Sequence, residues 1–179
     1  MISIVNIMKM GELTVKNINN KASIKKYNSK MLVEPSETLL DIFQIMSKRN
    51  RITNILGKVG SGKTYLARNF IEYLSENTNN LIVYFNGNNK KEVNCDLSFS
   101  DFDSFIDFLL NVEVKDTSIY LVIDEASSLT DEQLLYLNAT LNKLLANNLE
   151  VVVSILSYTV LLDKFEGELE RFVLETKRT

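Results

Sequence analysis

The chain contains no histidine and only one cysteine, Cys95, among its 179 residues. The absence of histidine excludes imidazole acid–base catalysis and the metal sites that need imidazole ligands. A single cysteine excludes an intrachain disulfide and a cysteine-based zinc site, and it is typical of a protein in a reducing compartment. We therefore expect a cytoplasmic protein, in a cell or in a virus-infected cell.

Long apolar segments and a strong excess of one charge are also missing. No segment resembles a signal peptide or an apolar span of about twenty residues, so we expect no contact with a membrane. The net charge of −3 argues against broad electrostatic adhesion to nucleic acid. The length of the chain suits one domain with a sizeable core.

Three of the six glycines lie in one short stretch that matches the phosphate-binding pattern G-x-x-x-x-G-K-[ST] at every position. Glycine backbones adopt angles that a Cβ forbids, so successive N–H groups turn inward on phosphate oxygens. The lysine neutralises the β- and γ-phosphates, the threonine hydroxyl binds Mg²⁺, and the following helix adds its N-terminal dipole. The predicted binding residues for a nucleoside triphosphate are Gly57, Lys58, Val59, Gly60, Ser61, Gly62, Lys63, Thr64 and the next residue, Tyr65.

The pattern has this meaning only between a strand and a helix, and the flanking sequence predicts both. Residues 52–56 form a short β-prone run before the loop. After the loop, apolar residues recur at helical spacing, namely Leu66, Phe70, Ile71 and Leu74. A glycine-rich turn without a ligand does not explain a lysine–threonine pair at the required place.

A second signature lies downstream, where the apolar run of residues 118–123 ends at Asp124 and Glu125. Such a run is typical of a buried parallel strand that presents acids at its carboxyl end. We expect Asp124 to bind Mg²⁺ through water and to face Thr64, and Glu125 to orient and deprotonate the water that attacks the γ-phosphate. An ordinary strand end followed by a helix cap is the alternative for the two acids taken alone.

With this loop and this acidic strand, residues 50–176 resemble the catalytic-glutamate branch of P-loop ATPases. The branch includes AAA+ proteins, RecA-like proteins, the FtsK/HerA DNA translocases and related viral genome-packaging ATPases. The resemblance implies ATP as the nucleotide and an extra strand between the phosphate-loop strand and the acidic strand. Residues 150–156, the most β-prone run in the chain, are the candidate for that strand.

The resemblance also implies roles for polar residues at two further strand ends. A polar residue after the extra strand senses the γ-phosphate in these families, and Ser157 is the first candidate and Ser154 the second. Plain strand-end polarity is the alternative. In AAA+ relatives a polar residue, often Asn, holds the catalytic glutamate inactive until a partner or DNA binds. Asn86, after the strand 81–85, is the candidate for this switch, and a simple Asn-Gly turn is the alternative.

Strands that alternate with helices predict an α/β fold, a three-layer sandwich in which helices cover both faces of a mainly parallel, five-stranded RecA/AAA-like sheet. Ligands of such sheets bind at the carboxyl ends of the strands, where all the polar candidates fall. The fifth strand is predicted at residues 171–176. The predicted helices are 63–76, 100–112, 130–147, which begins with a Thr130–Gln133 capping box, and 159–169.

Residues 1–50 are a predicted N-terminal extension, and residues 51–179 are the predicted P-loop NTPase domain. The extension contains a predicted strand at 13–18 and a predicted helix at 36–46, just after the only proline. The lysine-rich segment between them is a candidate contact for another subunit or for a nucleic-acid backbone. A solvated surface is the alternative.

Among functional classes, the resemblance favours a motor ATPase that moves double-stranded DNA, like the FtsK/HerA and viral packaging ATPases. The given sequence ends after the fifth predicted strand, so we expect no helical lid of the AAA+ type, which weakens the AAA+ interpretation without excluding it. Such motors are rings, so we expect a homo-oligomer whose basic residues can be confined to a channel. An arginine then reaches a neighbour's γ-phosphate. Arg171 is the first candidate and Arg178 the second, with a surface ion pair as the alternative.

Two other functional classes stay open. An AAA+-like nucleotide-dependent switch or loader would bind ATP to recruit a partner and hydrolyse it slowly. A thymidine-kinase-like enzyme would share the motif of residues 124–126, Asp-Glu-Ala. Those kinases, however, begin at the phosphate-loop strand and usually carry a four-cysteine zinc lobe, whereas this chain has about fifty preceding residues and one cysteine.

Overall fold

The computed structural model describes residues 20–26, 39–58, 62–88, 94–114 and 117–178, with backbone alone for 20–26 and 176–178. In these ranges one sheet contains the strands β1 (Asn20–Lys26), β2 (Arg51–Leu56), β3 (Leu81–Asn86), β4 (Leu97–Phe99), β5 (Ile119–Asp124), β6 (Val151–Ser157) and β7 (Glu170–Arg178). The helices are α1 (Leu39–Met46), α2 (Lys63–Asn77), α3 (Phe102–Asn111) and α4 (Asp131–Ala146), with 3₁₀ turns at Ala126–Ser128 and Leu162–Lys164.

The strands lie in the order β1-β7-β2-β6-β5-β3-β4. All neighbours from β7 to β4 are parallel, and β1 runs antiparallel to β7 at the edge of the sheet. The predicted α/β fold with a mainly parallel sheet is confirmed. Strand β6 pairs with β2 on one side and with β5 on the other, which is the position predicted for the extra strand.

The sheet has two more strands than predicted, β1 and β4. Strand β4 is only three residues long and pairs with β3 alone, so its sequence carries too little periodicity to be recognised. Strand β1 has the sequence NKASIKK, and lysines are common on edge strands because they discourage pairing with other chains. In the sequence, the same lysines suggested a solvated surface, and no strand was predicted there. In the structure, the segment is the edge strand β1.

Helices cover both faces of the sheet, and each face has its own apolar core. Strand β5 is buried at every position, and its side chains alternate between the two cores. Ile119, Leu121 and Ile123 pack with α3 and α4, whereas Tyr120 and Val122 pack with α1 and α2. Strand β5 therefore lies in the middle layer of a three-layer sandwich, with an apolar core on each of its faces.

Of the predicted helices, α2, α3 and α4 are present, and their ends differ from the prediction by at most two residues. The capping box of α4 is formed, since the Thr130 hydroxyl accepts from Gln133 N–H at 3.1 Å and the Gln133 side chain accepts from Thr130 N–H at 2.9 Å. The structure describes helix α1 from Leu39, and the buried side chains of α1 and α2 belong to the same apolar core. The predicted strand at 13–18 lies outside the described residues.

The predicted helix at 159–169 is wrong, because this segment contains only a single 3₁₀ turn. Leu162, Phe165 and Leu169 are spaced as on a helix and are all buried, but they reach the core from an irregular segment. Gly167 has a φ of +137°, which interrupts helical geometry, and a Cβ there would lie 2.1 Å from the Asn142 side chain. The buried apolar residues of this irregular segment thus have the spacing expected of an amphipathic helix.

No helix in the described ranges is long and apolar enough to cross a membrane.

A fully buried asparagine ties the segment after β6 to the centre of the sheet. The Asn54 side chain donates to the Ile155 carbonyl at 3.1 Å and to the Ser157 hydroxyl at 2.8 Å, and it accepts from Leu161 N–H at 2.8 Å. The Ser157 hydroxyl donates to the Thr159 carbonyl at 2.6 Å. One side chain in β2 therefore fixes how the chain leaves β6.

We expect Asn54→Leu to lower the free energy of unfolding by about 1–3 kcal/mol, since it leaves the half-buried Leu161 N–H without its acceptor. Urea unfolding followed by circular dichroism measures the change. The control is Asn77→Leu at the exposed end of α2, where we expect a change within about 0.5 kcal/mol. Equal stabilities of the two variants would contradict the role given to Asn54.

Candidate functional site

A cavity of about 670 Å³ opens at the carboxyl ends of β2, β5 and β6. The parallel pairing of these strands brings together the phosphate loop, the two acids and the residues after β6, as the sequence predicts for such a sheet. Val59, Gly60 and Ser61 lie outside the described residues. The cavity is lined by Lys58, Gly62, Lys63, Thr64, Tyr65, Asn88, Asp124, Glu125, Ser127, Ser128, Leu156, Ser157 and Tyr158.

The described ends of the phosphate loop are anchored to strand and helix. Gly57 N–H donates to the Ser157 carbonyl at 3.3 Å, which joins the start of the loop to the end of β6. Gly62 has a φ of +93° and precedes the first turn of α2. This left-handed conformation favours glycine and turns the chain directly into the helix. The first N–H groups of a helix have no intrahelical acceptor, so this helix end is suited to bind an anion.

The Lys63 side chain folds back over the loop. Its ammonium donates to the Gly57 carbonyl and lies 4.7 Å from the centre of the Tyr158 ring. Tyr158, with 57% of its surface exposed, thus forms a cation–π contact at the wall of the cavity. Sequence reasoning missed Tyr158, because one exposed tyrosine after a strand carries no pattern. The lysine is held where phosphate oxygens can replace both contacts.

The Asp124 carboxylate is almost fully buried and is fixed on both sides. One oxygen accepts from Glu125 N–H at 2.8 Å, and the other accepts from the Tyr84 hydroxyl at 2.6 Å. Each carboxylate oxygen has two lone-pair positions, so both can still accept from a metal-bound water. Asp124 thus presents an oriented carboxylate at the cavity, of the kind that Mg²⁺ prefers as a ligand.

The adjacent acid has a different environment. Glu125 has a φ of +51°, a left-handed conformation that costs a non-glycine residue about 1–3 kcal/mol and is often found at functional sites. The Ser128 hydroxyl and N–H both donate to the Glu125 carbonyl, at 2.8 and 3.0 Å, and support this turn. The half-buried Glu125 carboxylate accepts a hydrogen bond from the Asn88 side-chain amide.

Tyr84 was not predicted as a site residue, because it lies within an apolar strand sequence. Burial raises the pKa of its phenol well above the ordinary value, and the hydrogen bond to Asp124 raises it further. The hydrogen bond from Asn86 and the charge of Arg68 oppose this rise in pKa without cancelling it. The phenol therefore keeps its proton at neutral pH and remains a donor to Asp124.

Asn86, the predicted switch residue, makes its hydrogen bonds elsewhere. Its amide donates to the Tyr84 hydroxyl at 3.3 Å, and its side-chain oxygen accepts from Asn88 N–H at 2.9 Å. The bond from Asn88 N–H to the Asn86 side chain is typical of a turn that begins with Asn, which was the alternative interpretation of Asn86. Asn88 is the residue whose amide reaches Glu125, and the sequence alone does not distinguish the two asparagines.

The two predicted γ-phosphate sensors differ in position. Ser157 lines the cavity, but its only hydroxyl proton is donated to the Thr159 carbonyl and its oxygen accepts from Asn54. Ser154 lies inside the sheet, fully buried, where its hydroxyl pairs with that of Tyr120 at 3.0 Å. Ser157 is thus at the cavity and already bonded, and Ser154 is a core residue.

Arg171 lies far from the phosphate loop of its own chain. It pairs with Ile52 near the amino end of β2, whereas the loop follows the carboxyl end of that strand. Its guanidinium donates to the Leu162 carbonyl at 3.2 Å. Arg178, the second candidate, ends β7, and its side chain lies outside the described atoms.

The donors at the cavity fit Mg²⁺ bound together with a nucleotide. Within the described ranges no cluster of three or more acidic or cysteine side chains would hold a metal by itself. Mg²⁺ typically keeps several waters and uses one or two protein oxygens plus substrate phosphates. The Thr64 hydroxyl and the Asp124 carboxylate, both at the cavity wall, are oxygen donors of that kind.

A family model described as "AAA domain" matches residues 49–172. The chain belongs to the AAA domain family. The match begins just before β2 and ends within β7, so this AAA domain includes the phosphate loop and both acids in the matched region. The family consists of P-loop nucleotide-binding proteins, which agrees with the cavity described above.

Two further comparisons concern single proteins. This AAA domain is similar to a chain in a structure entitled "Structure of Drosophila ORC bound to DNA", with 19% identity and a TM-score of 0.46. The alignment covers 73% of this chain and 38% of the other, so it spans well under half of that protein. A comparison with curated proteins gave no match.

We expect Lys63→Ala to weaken the affinity for Mg·ATP by about ten- to a hundredfold, as a lost hydrogen bond to a charged group predicts. Equilibrium titration with a fluorescent ATP analogue measures this affinity. Lys143→Ala, on the solvent-facing side of α4, is the control and is expected to bind like the unchanged protein. Full affinity in Lys63→Ala would show that the cavity is not the nucleotide site.

Proposed function

We propose that this AAA domain binds ATP together with Mg²⁺ and hydrolyses it. The observation that carries the proposal is the convergence of Lys63, Thr64, Asp124 and Glu125 on one cavity at the carboxyl ends of parallel strands. Thr64 and Asp124 would hold Mg²⁺, which would neutralise negative charge on the phosphates. Each of the four side chains has a chemical group suited to one part of the reaction.

Lys63 and Thr64 bind and orient the triphosphate. The Lys63 ammonium exchanges the Gly57 carbonyl for oxygens of the β- and γ-phosphates, and the N-terminal turn of α2 adds positive potential. Thr64 supplies a hydroxyl oxygen to the metal, and Asp124 accepts hydrogen bonds from metal-bound water. Because Asp124 is already held by two donors, it loses little freedom on binding.

Glu125 is the proposed base for the attacking water. Its carboxylate is partly exposed at the cavity, where it can accept a proton from a water placed next to the γ-phosphate. In the present conformation that carboxylate accepts a hydrogen bond from Asn88. The glutamate must exchange this amide for the water, so we propose that the Asn88 contact represents a state of low turnover.

We further propose that the AAA domain works as a homo-oligomeric ring that moves double-stranded DNA. This motor function rests on the resemblance to DNA translocases and viral packaging ATPases. The cations at the described cavity wall are Lys58 and Lys63, and an arginine from a neighbour would add transition-state stabilisation. Arg171 is suited to act in a neighbouring site, since its strand position separates it from the phosphate loop of its own chain.

A nucleotide-dependent switch or loader is the second candidate. The Asn88–Glu125 contact favours it, because a base that is held by an amide needs an external event to be released. A partner protein and DNA are both able to supply such an event. The two candidates therefore share the chemistry of the site and differ in what stimulates turnover.

Phosphate release from Mg·ATP, measured with and without double-stranded DNA, tests the proposed function. We expect Glu125→Gln to lower turnover by about 10²–10⁴-fold, the usual contribution of a general base. Strong stimulation by DNA that is lost in this variant would support the motor. Slow turnover despite tight ATP binding, with no effect of DNA, would support the switch. Unchanged turnover in Glu125→Gln would contradict the assignment of the base.

Mixing two inactive variants tests the proposed arginine. We expect Arg171→Ala to lower turnover by about 10³-fold or more, and a mixture with Lys63→Ala to regain part of the activity. Recovery is expected because some interfaces combine an intact lysine with an intact arginine. A mixture of Lys63→Ala with Glu125→Gln is the control without recovery, because both residues belong to the site of their own chain and every site in the mixture lacks one of them. An active Arg171→Ala protein would exclude this residue.

A further inference from the structure

A closed circuit of hydrogen bonds joins the two acids of the site. The Tyr84 hydroxyl donates to Asp124 at 2.6 Å, and it accepts from the Asn86 amide at 3.3 Å. The Asn86 oxygen accepts from Asn88 N–H at 2.9 Å, and the Asn88 amide donates to Glu125. Glu125 N–H donates to the other oxygen of Asp124 at 2.8 Å, which closes the circuit.

We propose that Tyr84 is a positioning residue that couples metal binding at Asp124 to the release of Glu125 from Asn88. The coupling runs through Asn86 and rests on the proposed function, in which Asp124 binds Mg²⁺ and Glu125 is the base. It adds a regulatory residue that neither the phosphate-loop pattern nor the acidic strand indicates.

The position of Tyr84 makes it more than a core aromatic residue. The ring is buried between β3 and the core of α1 and α2, and the strand pairs it with Val122, two residues before Asp124. The long side chain places its hydroxyl at the carboxyl end of the sheet, where Asn86 pairs with Asp124. A buried carboxylate needs hydrogen-bond donors, and this phenol supplies one of the two given to Asp124.

The coupling follows from competition at shared atoms. Asp124 would share its negative charge with the water of a bound metal, and this sharing would weaken the bond that Asp124 accepts from Tyr84. A phenol that turns from Asp124 loses its geometry with the Asn86 amide, and Asn86 also holds the backbone of Asn88. Displacing Asn88 removes the donor from Glu125. Metal binding and release of the base are therefore predicted to favour each other.

Thermodynamic reciprocity makes the coupling measurable without hydrolysis. If metal binding favours loss of the Asn88–Glu125 contact, then removal of that contact must strengthen metal binding by the same factor. Asn88→Ala should therefore bind Mg²⁺ more tightly in the presence of a nucleotide. The effect should depend on an intact Tyr84 hydroxyl, because the signal passes through it.

The experiment is a double-mutant cycle that combines Asn88→Ala with Tyr84→Phe. Mg²⁺ is titrated into protein with a fluorescent ATP analogue that is not hydrolysed, and binding in EDTA gives the metal-free reference. We expect Asn88→Ala to raise the apparent Mg²⁺ affinity about fivefold or more, the lower range of typical coupling. In the Tyr84→Phe background the same change should have less than about a twofold effect.

Tyr120→Phe is the matched control for loss of a buried hydroxyl. Tyr120 lies on the neighbouring strand in the same core, fully buried, and its hydroxyl pairs with Ser154 outside the circuit. In this background Asn88→Ala should keep its full effect on Mg²⁺ affinity. A merely structural role of Tyr84 would give the same result in both phenylalanine backgrounds.

The outcomes separate this inference from the proposed function. Equal effects of Asn88→Ala with and without the Tyr84 hydroxyl, or no effect in either, would overturn the coupling while metal-dependent binding remained. If the unchanged protein bound the analogue equally well in Mg²⁺ and in EDTA, the magnesium site itself would be refuted, and the inference with it. Non-additivity confined to the Tyr84 background would support the coupling.

Discussion

The parallel pairing of β6 with both β2 and β5 is the constraint on which the site depends. It places Leu56, the last residue before the phosphate loop, opposite Ser157, and it leaves Asp124 at the same edge of the sheet. Side chains alternate along a strand, so a slip of one residue would turn every buried side chain to the other face. Because β5 is buried at every position, the two apolar cores resist such a slip, and they thereby hold the two halves of the site together.

The parts of the site that sequence reasoning found are those that depend on local chemistry. The phosphate loop needs glycines and a lysine–threonine pair at fixed spacing, and the acidic strand is apolar up to Asp124. Both features can therefore be recognised in the sequence. Tyr84, Asn88 and Tyr158 were missed because their roles come from neighbours on other strands. The helix predicted at 159–169 failed for a related reason, since burial of an irregular segment gave a helical spacing of apolar residues.

Two adjacent carboxylates acquire different properties because the backbone changes direction between them. Asp124 is the last residue of β5 and points into a nearly closed set of donors, whereas Glu125 takes a left-handed turn and stays partly exposed. The turn costs free energy, and contacts from Ser128 offset part of that cost. A fixed, buried acid suits a metal, which needs oriented ligands, and a partly exposed acid suits a base, which must change partners during turnover.

The same division explains why ATP hydrolysis in this AAA domain is expected to depend on a partner. The groups proposed to bind a triphosphate and its metal are already oriented, but the Asn88 amide contacts the proposed base, and the arginine proposed to complete the site lies away from its own loop. The proposed mechanism therefore separates nucleotide binding from hydrolysis in the isolated chain. In the proposed coupling, metal binding favours the displacement of Asn88 through Tyr84, and a neighbouring subunit or DNA would complete it, so the circuit around Asp124 would control the step between binding and hydrolysis in a motor and in a switch alike.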